Sequence, residues 1–183
     1  LAFVGRDLGI GDEFRRYGYK SDADYRSPFD NGAEIIHTVR LEDDLLETLQ
    51  RYLQQFRPAD LLVITSALKV AALTSLFEAN GIAVSDSVHS DTVKLIDFKR
   101  VKGLEAPVVF VCGIEDLSYR HFDSPFEALE DRIAQEQLSR RLVYVALTRA
   151  TEECLIFFQQ STHPFIQDLR QIQQQLLVQR QQR

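Results

Sequence analysis

The chain has 183 residues, 45% of them hydrophobic and 26% charged, which suits one globular domain with a real core and falls short of two comfortable ones. Its net charge of -6 argues against a free-standing nucleic-acid grip, since such domains are usually basic overall, though a local basic track stays open. No apolar run approaches a membrane span, Leu1 opens no signal peptide, and Cys112 and Cys154 have neither metal-pair spacing nor partners for a disulfide framework.

In chain order, residues 1–32 are a lead-in without assignable elements. Their second half, KSDADYRSPFDNG (20–32), has loop composition. Residues 33–160 read as one domain. Ala33–Val39 is a short strand in which His37 is an edge residue. Leu41–Phe56 is a helix with Glu42, Asp43 and Asp44 in its first turn and Leu45, Leu46, Leu49 and Leu53 as its buried stripe, ended by Pro58. Ala59–Thr65 is a buried strand. Ser66 is placed to cap a helix that runs to Asn80 and stops at Gly81, and Ile82–Val84 is another short strand. Strand, helix, strand, helix, strand spells a parallel sheet wrapped by helices.

Ser85–Thr92 is a brief polar loop, and Val93–Ile96 the next strand. The turn after it holds Lys99, Arg100 and Lys102, with Lys94 upstream, the densest basic cluster in the chain. The C-terminal end of a parallel strand is where ligands bind in such sheets, and Lys and Arg there suit sequence-blind contact with phosphates. Gly103 allows close backbone approach; Glu105 is an acceptor-only carboxylate that could neutralise Lys102 or Arg141. Ala106–Gly113 is the most apolar strand, followed by a loop over 115–124 that includes His121. Pro125 opens a long helix, with Glu127, Glu130 and Asp131 early. In its last turns Leu138, Leu142 and Val145 share one face, Arg140 and Arg141 fall off it, and Arg149 stands at the end. An arginine there has two readings: complement to the helix dipole, or a planar fork reaching an anion such as a phosphate held by another domain. Thr151–Phe158 is the last strand. Residues 161–183 carry a Gln-rich helix from Pro164 on, with a stripe of Ile166, Leu169, Ile172, Leu176 and Leu177; it packs on its own sheet and frays at its end. The two cysteines lie inside apolar runs, as buried thiols in a reducing, cytoplasmic setting do.

Two stretches fit one pattern together. Lys102-Gly103-Leu104-Glu105 followed by an apolar strand, and Arg140 through Ala150 (RRLVYVALTRA), resemble the last two motifs of the UvrD/Rep-like superfamily 1 helicases, written T-x-H-x-x-K-G-L-E and R-R-L-x-Y-V-A-x-T-R-A. Asp97 stands where that family has Thr, and Lys99 where it has His. Tyr25-Arg26-Ser27 resembles an earlier N-Y-R-S motif, with Asp24 in place of Asn. The loop over 85–92 leaves no room for the large helical insertion of the bigger relatives, which points to a compact type.

The resemblance implies a three-layer α/β RecA-like domain, the second of the two that form a helicase motor. It implies an arginine finger at Arg149, nucleotide contacts from Gly103, Glu105 and Arg149, and from Arg26 if that arginine is more than a loop residue. It implies a single-stranded DNA track over Lys99, Arg100 and Lys102. ATP with Mg2+ would be held mainly by a first RecA-like domain, this domain's partner, because the chain has no G-x-x-x-x-G-K-[S/T] phosphate loop. No metal ligands are assigned within the chain. A start at Leu1 and the absence of Met suggest a piece of a longer protein, inactive alone. The alternative is a helicase-derived module that binds DNA or a protein without ATP hydrolysis.

Overall fold

Among the described residues six strands form one sheet, and every pairing is parallel. The structure, a computed structural model, describes residues 33–87, 89–117 and 129–181. Arg26 and its loop, His121, Pro125 and Glu127 lie outside the described residues. The elements are β1 (Glu34–His37), α1 (Leu41–Tyr52), β2 (Leu61–Thr65), α2 (Ala67–Ala79), β3 (Val84–Ser85), β4 (Val93–Asp97), β5 (Ala106–Val111), α3 (Leu129–Leu147), β6 (Ala150–Phe158) and α4 (Pro164–Gln181), with short 3-10 turns at Pro58–Asp60 and Ile114–Asp116. The strands stand in the order β1-β6-β5-β2-β4-β3.

β2 is buried at all five residues because both faces of the sheet are covered. Its side chains divide between the faces with the strand's period of two. Leu61 and Val63 pack with Leu41, Leu45 and Leu49 of α1 and Leu73 and Phe77 of α2. Leu62 and Ile64 pack with Val143, Ala146 and Leu147 of α3 and Phe165, Ile166 and Leu169 of α4. These are the three layers expected from the sequence.

Several local readings are corrected. α1 ends at Tyr52, before Pro58, and residues 53–56 continue as a turn. Ser66 stands at the N-cap of α2 without a side-chain cap bond; its hydroxyl is drawn instead to Asp116. The C-terminus of α2 closes as expected: Gly81 takes φ 76°, and the amides of Gly81 and Ile82 donate to the carbonyls of Glu78 and Phe77 at 3.0 and 2.9 Å. On α3 the buried residues are Ser139, Val143, Tyr144, Ala146 and Leu147; Leu138 is 49% exposed, and Leu142 and Val145 only flank the core. The two stripes differ by one residue of helical phase, and in so polar a helix the burial of Ser139 could not be guessed from hydrophobicity.

Candidate functional site

The two motif stretches meet at the N-terminal edge of β5 and β6. Ala106 lies opposite Ala150, and the Ala106 amide donates to the Arg149 carbonyl at 3.1 Å. Arg149 thus sits between the last turn of α3 and the first residue of β6. Its Nε donates to the Val145 carbonyl at 3.0 Å, its Nη2 to Thr148 Oγ1 at 3.0 Å, and its Nη1 to the Leu104 carbonyl at 3.2 Å. The fork therefore shares the Val145 carbonyl at its own helix end with the Thr148 hydroxyl, which donates to it at 2.9 Å, and also grips the Lys102–Glu105 loop. A guanidinium has five N–H donors. The bonds to Val145, Thr148 and Leu104 leave donors over for an anion. Gly103, at φ +85°, has open space where a Cβ would stand, with nothing within 4 Å; its left-handed backbone, and not crowding, favours glycine. Glu105 and Lys102 beside it are exposed.

The C-terminal edge carries the other half of the basic stretch. β4 ends at Asp97, in register with Thr65 at the end of β2. The Asp97 carboxylate folds onto its own turn, accepting the Lys99 amide at 2.8 Å. Phe98 and Val101 are buried and pin the segment to the sheet. Lys99 points to solvent, and Arg100 donates through Nη2 to Asp86 at 2.6 Å. That guanidinium holds the Asp86 carboxyl below the usual carboxylate range. The connection over residues 98–105 runs the full height of the sheet, from the end of β4 to the start of β5. Lys99 and Arg100 lie at its upper end, and Lys102, Gly103 and Glu105 at its lower end. The structure separates what the sequence presents as one cluster. Lys94 leaves it altogether: it is 9% exposed, and its Nζ donates to the Ala59 carbonyl at 2.7 Å.

Sequence reasoning missed a crevice at the same edge. The chain leaves β2 toward the α1–α2 face and β5 toward the α3–α4 face, which makes the gap between them a topological switch point, where open α/β sheets bind ligands. Here the protein fills it. Ser66 Oγ donates to Asp116 Oδ2 at 2.5 Å, Lys69 Nζ lies 3.6 Å from the same oxygen, and Gly113, at φ +71°, would meet Asp116 at 3.0 Å and Ser66 at 3.2 Å if it had a Cβ. The glycine after an apolar strand is the one local sign of this in the sequence.

Other singled-out groups are structural. Arg140 pairs with Glu136 at 3.1 Å and Asp168 at 3.5 Å and lies over the Phe165 ring, tying α3 to α4. Burial pushes both the Cys112 and Cys154 thiols up to about 12. Among the described residues no three His, Cys, Asp or Glu side chains converge as metal ligands, and no helix is long and apolar enough to cross a membrane.

Comparison with known proteins gives a consistent answer. A match to the family described as UvrD-like helicase C-terminal domain runs over residues 14–161. The chain is 27% identical over 139 residues to DNA helicase II of Haemophilus influenzae, a match that covers 73% of this chain and 17% of that protein. It is 29% identical over 133 residues to the ATP-dependent DNA helicase PcrA of Bacillus subtilis, covering 71% of this chain and again 17% of the relative. Among solved structures, the C-terminal domain of a possible DNA helicase from Lactobacillus plantarum WCFS1 superposes with a TM-score of 0.54 at 16% identity, over 81% of this chain and 92% of that one; that likeness speaks to the fold alone.

Proposed function

The chain belongs to the UvrD-like helicase C-terminal domain family, and on that premise we propose that it is the second motor domain of a cytoplasmic, ATP-driven helicase or translocase acting on single-stranded DNA. One observation carries the reading: Arg149, Gly103 and Glu105 gather at one edge of the sheet, with Arg149 bonded to the Leu104 carbonyl at 3.2 Å. A fork with donors to spare, a glycine facing open space and an acceptor-only carboxylate suit a phosphate and a sugar hydroxyl held against this edge by a facing domain.

ATP, with its Mg2+, supplies the transferable phosphoryl group, and a first RecA-like domain holds most of it. Arg149 places positive charge beside the phosphoryl oxygens as their charge redistributes, a contribution of roughly a thousandfold or more in rate, about 4 kcal/mol upward. Its bonds to Val145 and Leu104 hold the fork in position before the facing domain closes, which lowers the entropy cost of ordering it. Gly103 lets the backbone approach the nucleotide, and Glu105 accepts from the sugar hydroxyl. Lys99, Arg100 and Lys102 contact the strand's phosphates. Closing and opening of the inter-domain cleft then shift the two domains along the strand.

The test is the ATPase rate of the intact protein, with and without single-stranded DNA, for wild type and Arg149→Ala. DNA-stimulated turnover in the wild type, lost in the variant while fluorescent-nucleotide binding persists, supports the motor reading. An intact protein with no DNA-stimulated turnover defeats it.

A further inference from the structure

Beside β4, on the side of the sheet's last strand, a groove of about 240 Å³ opens between α2, β3 and β4. Val70, Val84 and Leu95 give it an apolar floor, Thr74 and Ser85 place hydroxyls on its wall, and Asp97, whose carboxylate accepts the Lys99 amide, lines it as a second acid beside Arg100. Asp86 and Arg100 meet across its rim through a single Nη2–Oδ2 contact of 2.6 Å, with side chains 52% and 60% exposed. The groove is smaller than the roughly 300–1,000 Å³ of pockets for free small molecules. It has no aromatic wall for a base to stack on. What fits is one unit of sugar–phosphate chain passing over the rim.

We propose that Asp86 is an internal stand-in for a nucleic-acid phosphate: it occupies Arg100 at the rim of this groove in the free protein and is displaced when the backbone of a single strand takes its place. The inference rests on the strand track proposed above and adds a subsite and a competitor to it. The second carboxylate–cation pair at this edge marks the contrast. Asp116 is held by the Ser66 hydroxyl as well as by Lys69, and it lies where Gly113 leaves no spare room. Among the described residues the contact of Asp86 is with Arg100 alone, in a short connection whose turn is fixed locally by the Ser87 amide on the Ser85 hydroxyl at 3.0 Å. An exposed one-point ion pair is worth little, so a phosphate can replace it at small cost. The exchange swaps one anion for another on the same fork, so Arg100 adds less to the affinity than an unpartnered arginine would.

The experiment measures binding of a fluorescein-labelled oligothymidylate to the intact protein by anisotropy, for wild type, Asp86→Asn, Arg100→Ala and the double variant. Glu47→Gln on α1 controls for loss of one negative charge, and Asp86→Ser guards against a folding defect of the first substitution. The expected result is that both Asp86 variants bind about two- to fivefold tighter than the control, and that the gain vanishes when Arg100 is alanine. Weaker binding in Arg100→Ala, with no gain from either Asp86 variant, overturns the stand-in and leaves the strand track intact. If Arg100→Ala binds as wild type does, Arg100 is no part of the track, and the stand-in falls with it.

Discussion

The two edges of this sheet are built on opposite plans. At the lower edge the functional groups are tied by backbone: the Arg149 fork lies on two main-chain carbonyls, and the Ala106 amide closes on the Arg149 carbonyl. At the upper edge, outside the filled crevice at Gly113, the charged groups beside β4 are held by side chains that solvent reaches: among the described residues Arg100 by Asp86, and Lys99 by nothing beyond its own turn. Main-chain anchors hold a group closely in place, as the proposed placement of charge on a phosphoryl group would require. Exposed ion pairs release and re-form easily, as the proposed contact with a moving strand would require. One segment, residues 98–105, begins in the second kind of surroundings and ends in the first.

The sharpest way to break this comparison is Arg149→Ala. Turnover of the intact protein should fall by about a thousandfold or more. The same change should cost only about 1–2 kcal/mol of stability, from the lost bonds to Val145, Leu104 and Thr148, as read by thermal denaturation. A collapse of the fold instead would make Arg149 chiefly structural.

A pair of glycines tests the two edges by backbone alone. Gly113→Ala forces both a left-handed φ and a clash with Ser66 and Asp116, and should destabilise by about 2–4 kcal/mol. Gly103→Ala meets open space and should cost about 1–2 kcal/mol, from its φ alone, with a larger effect on nucleotide affinity than on stability. Equal losses in urea denaturation would mean that the edges are packed alike.

Alkaline pH probes the core between them. Both thiols have ordinary values of 9.0 and are pushed up to about 12 by burial. Between those values the folded state holds more protons than the unfolded one. Stability is therefore fully present below about 9 and declines as pH rises toward 12. At neutral pH a thiol reagent should react with neither cysteine until denaturant is added.

The smallest expected effects separate the ends of the 98–105 segment. Lys99→Ala and Lys102→Ala should each lower the slope of log affinity against log salt by about 0.7 for single-stranded DNA. A change from Lys99 only would confine the track to the upper edge.

Much of this was legible in the sequence, for a physical reason. Strands buried on both faces must be apolar throughout, so β2, β5 and β6 announce themselves, and two motifs, one just before β5 and one at the end of α3, mark Glu105 and Arg149. What was not legible depends on distance in the chain. Lys94 reads as one more cation until Ala59, across the β2–β4 pair, takes its ammonium. Ser66 reads as a cap until Asp116, fifty residues on, claims its hydroxyl. The basic stretch reads as a patch because nothing local says that residues 98–105 must climb down the whole sheet. The apolar spacing of Leu138, Leu142 and Val145 does not reveal the buried face of α3, one residue of phase away, because Ser139 faces inward and Leu138 does not.

The placement of β1 bears on how the chain assembles as it leaves the ribosome. Among the described residues its one strand partner is β6, with Glu34 opposite Leu155 and His37 opposite Phe158. Its strand ladder cannot close until nearly all of the domain has been made. β2, β4 and β5 can pair first, and β1, with Ile35 and Ile36 uncovered, must wait at the margin. A translational pause before β6 would leave that edge exposed to other chains. Removing β6 would strip away both a neighbour of β5 and the strand that β1 pairs with among the described residues, so a nascent chain halted there should favour aggregation over a smaller stable fold.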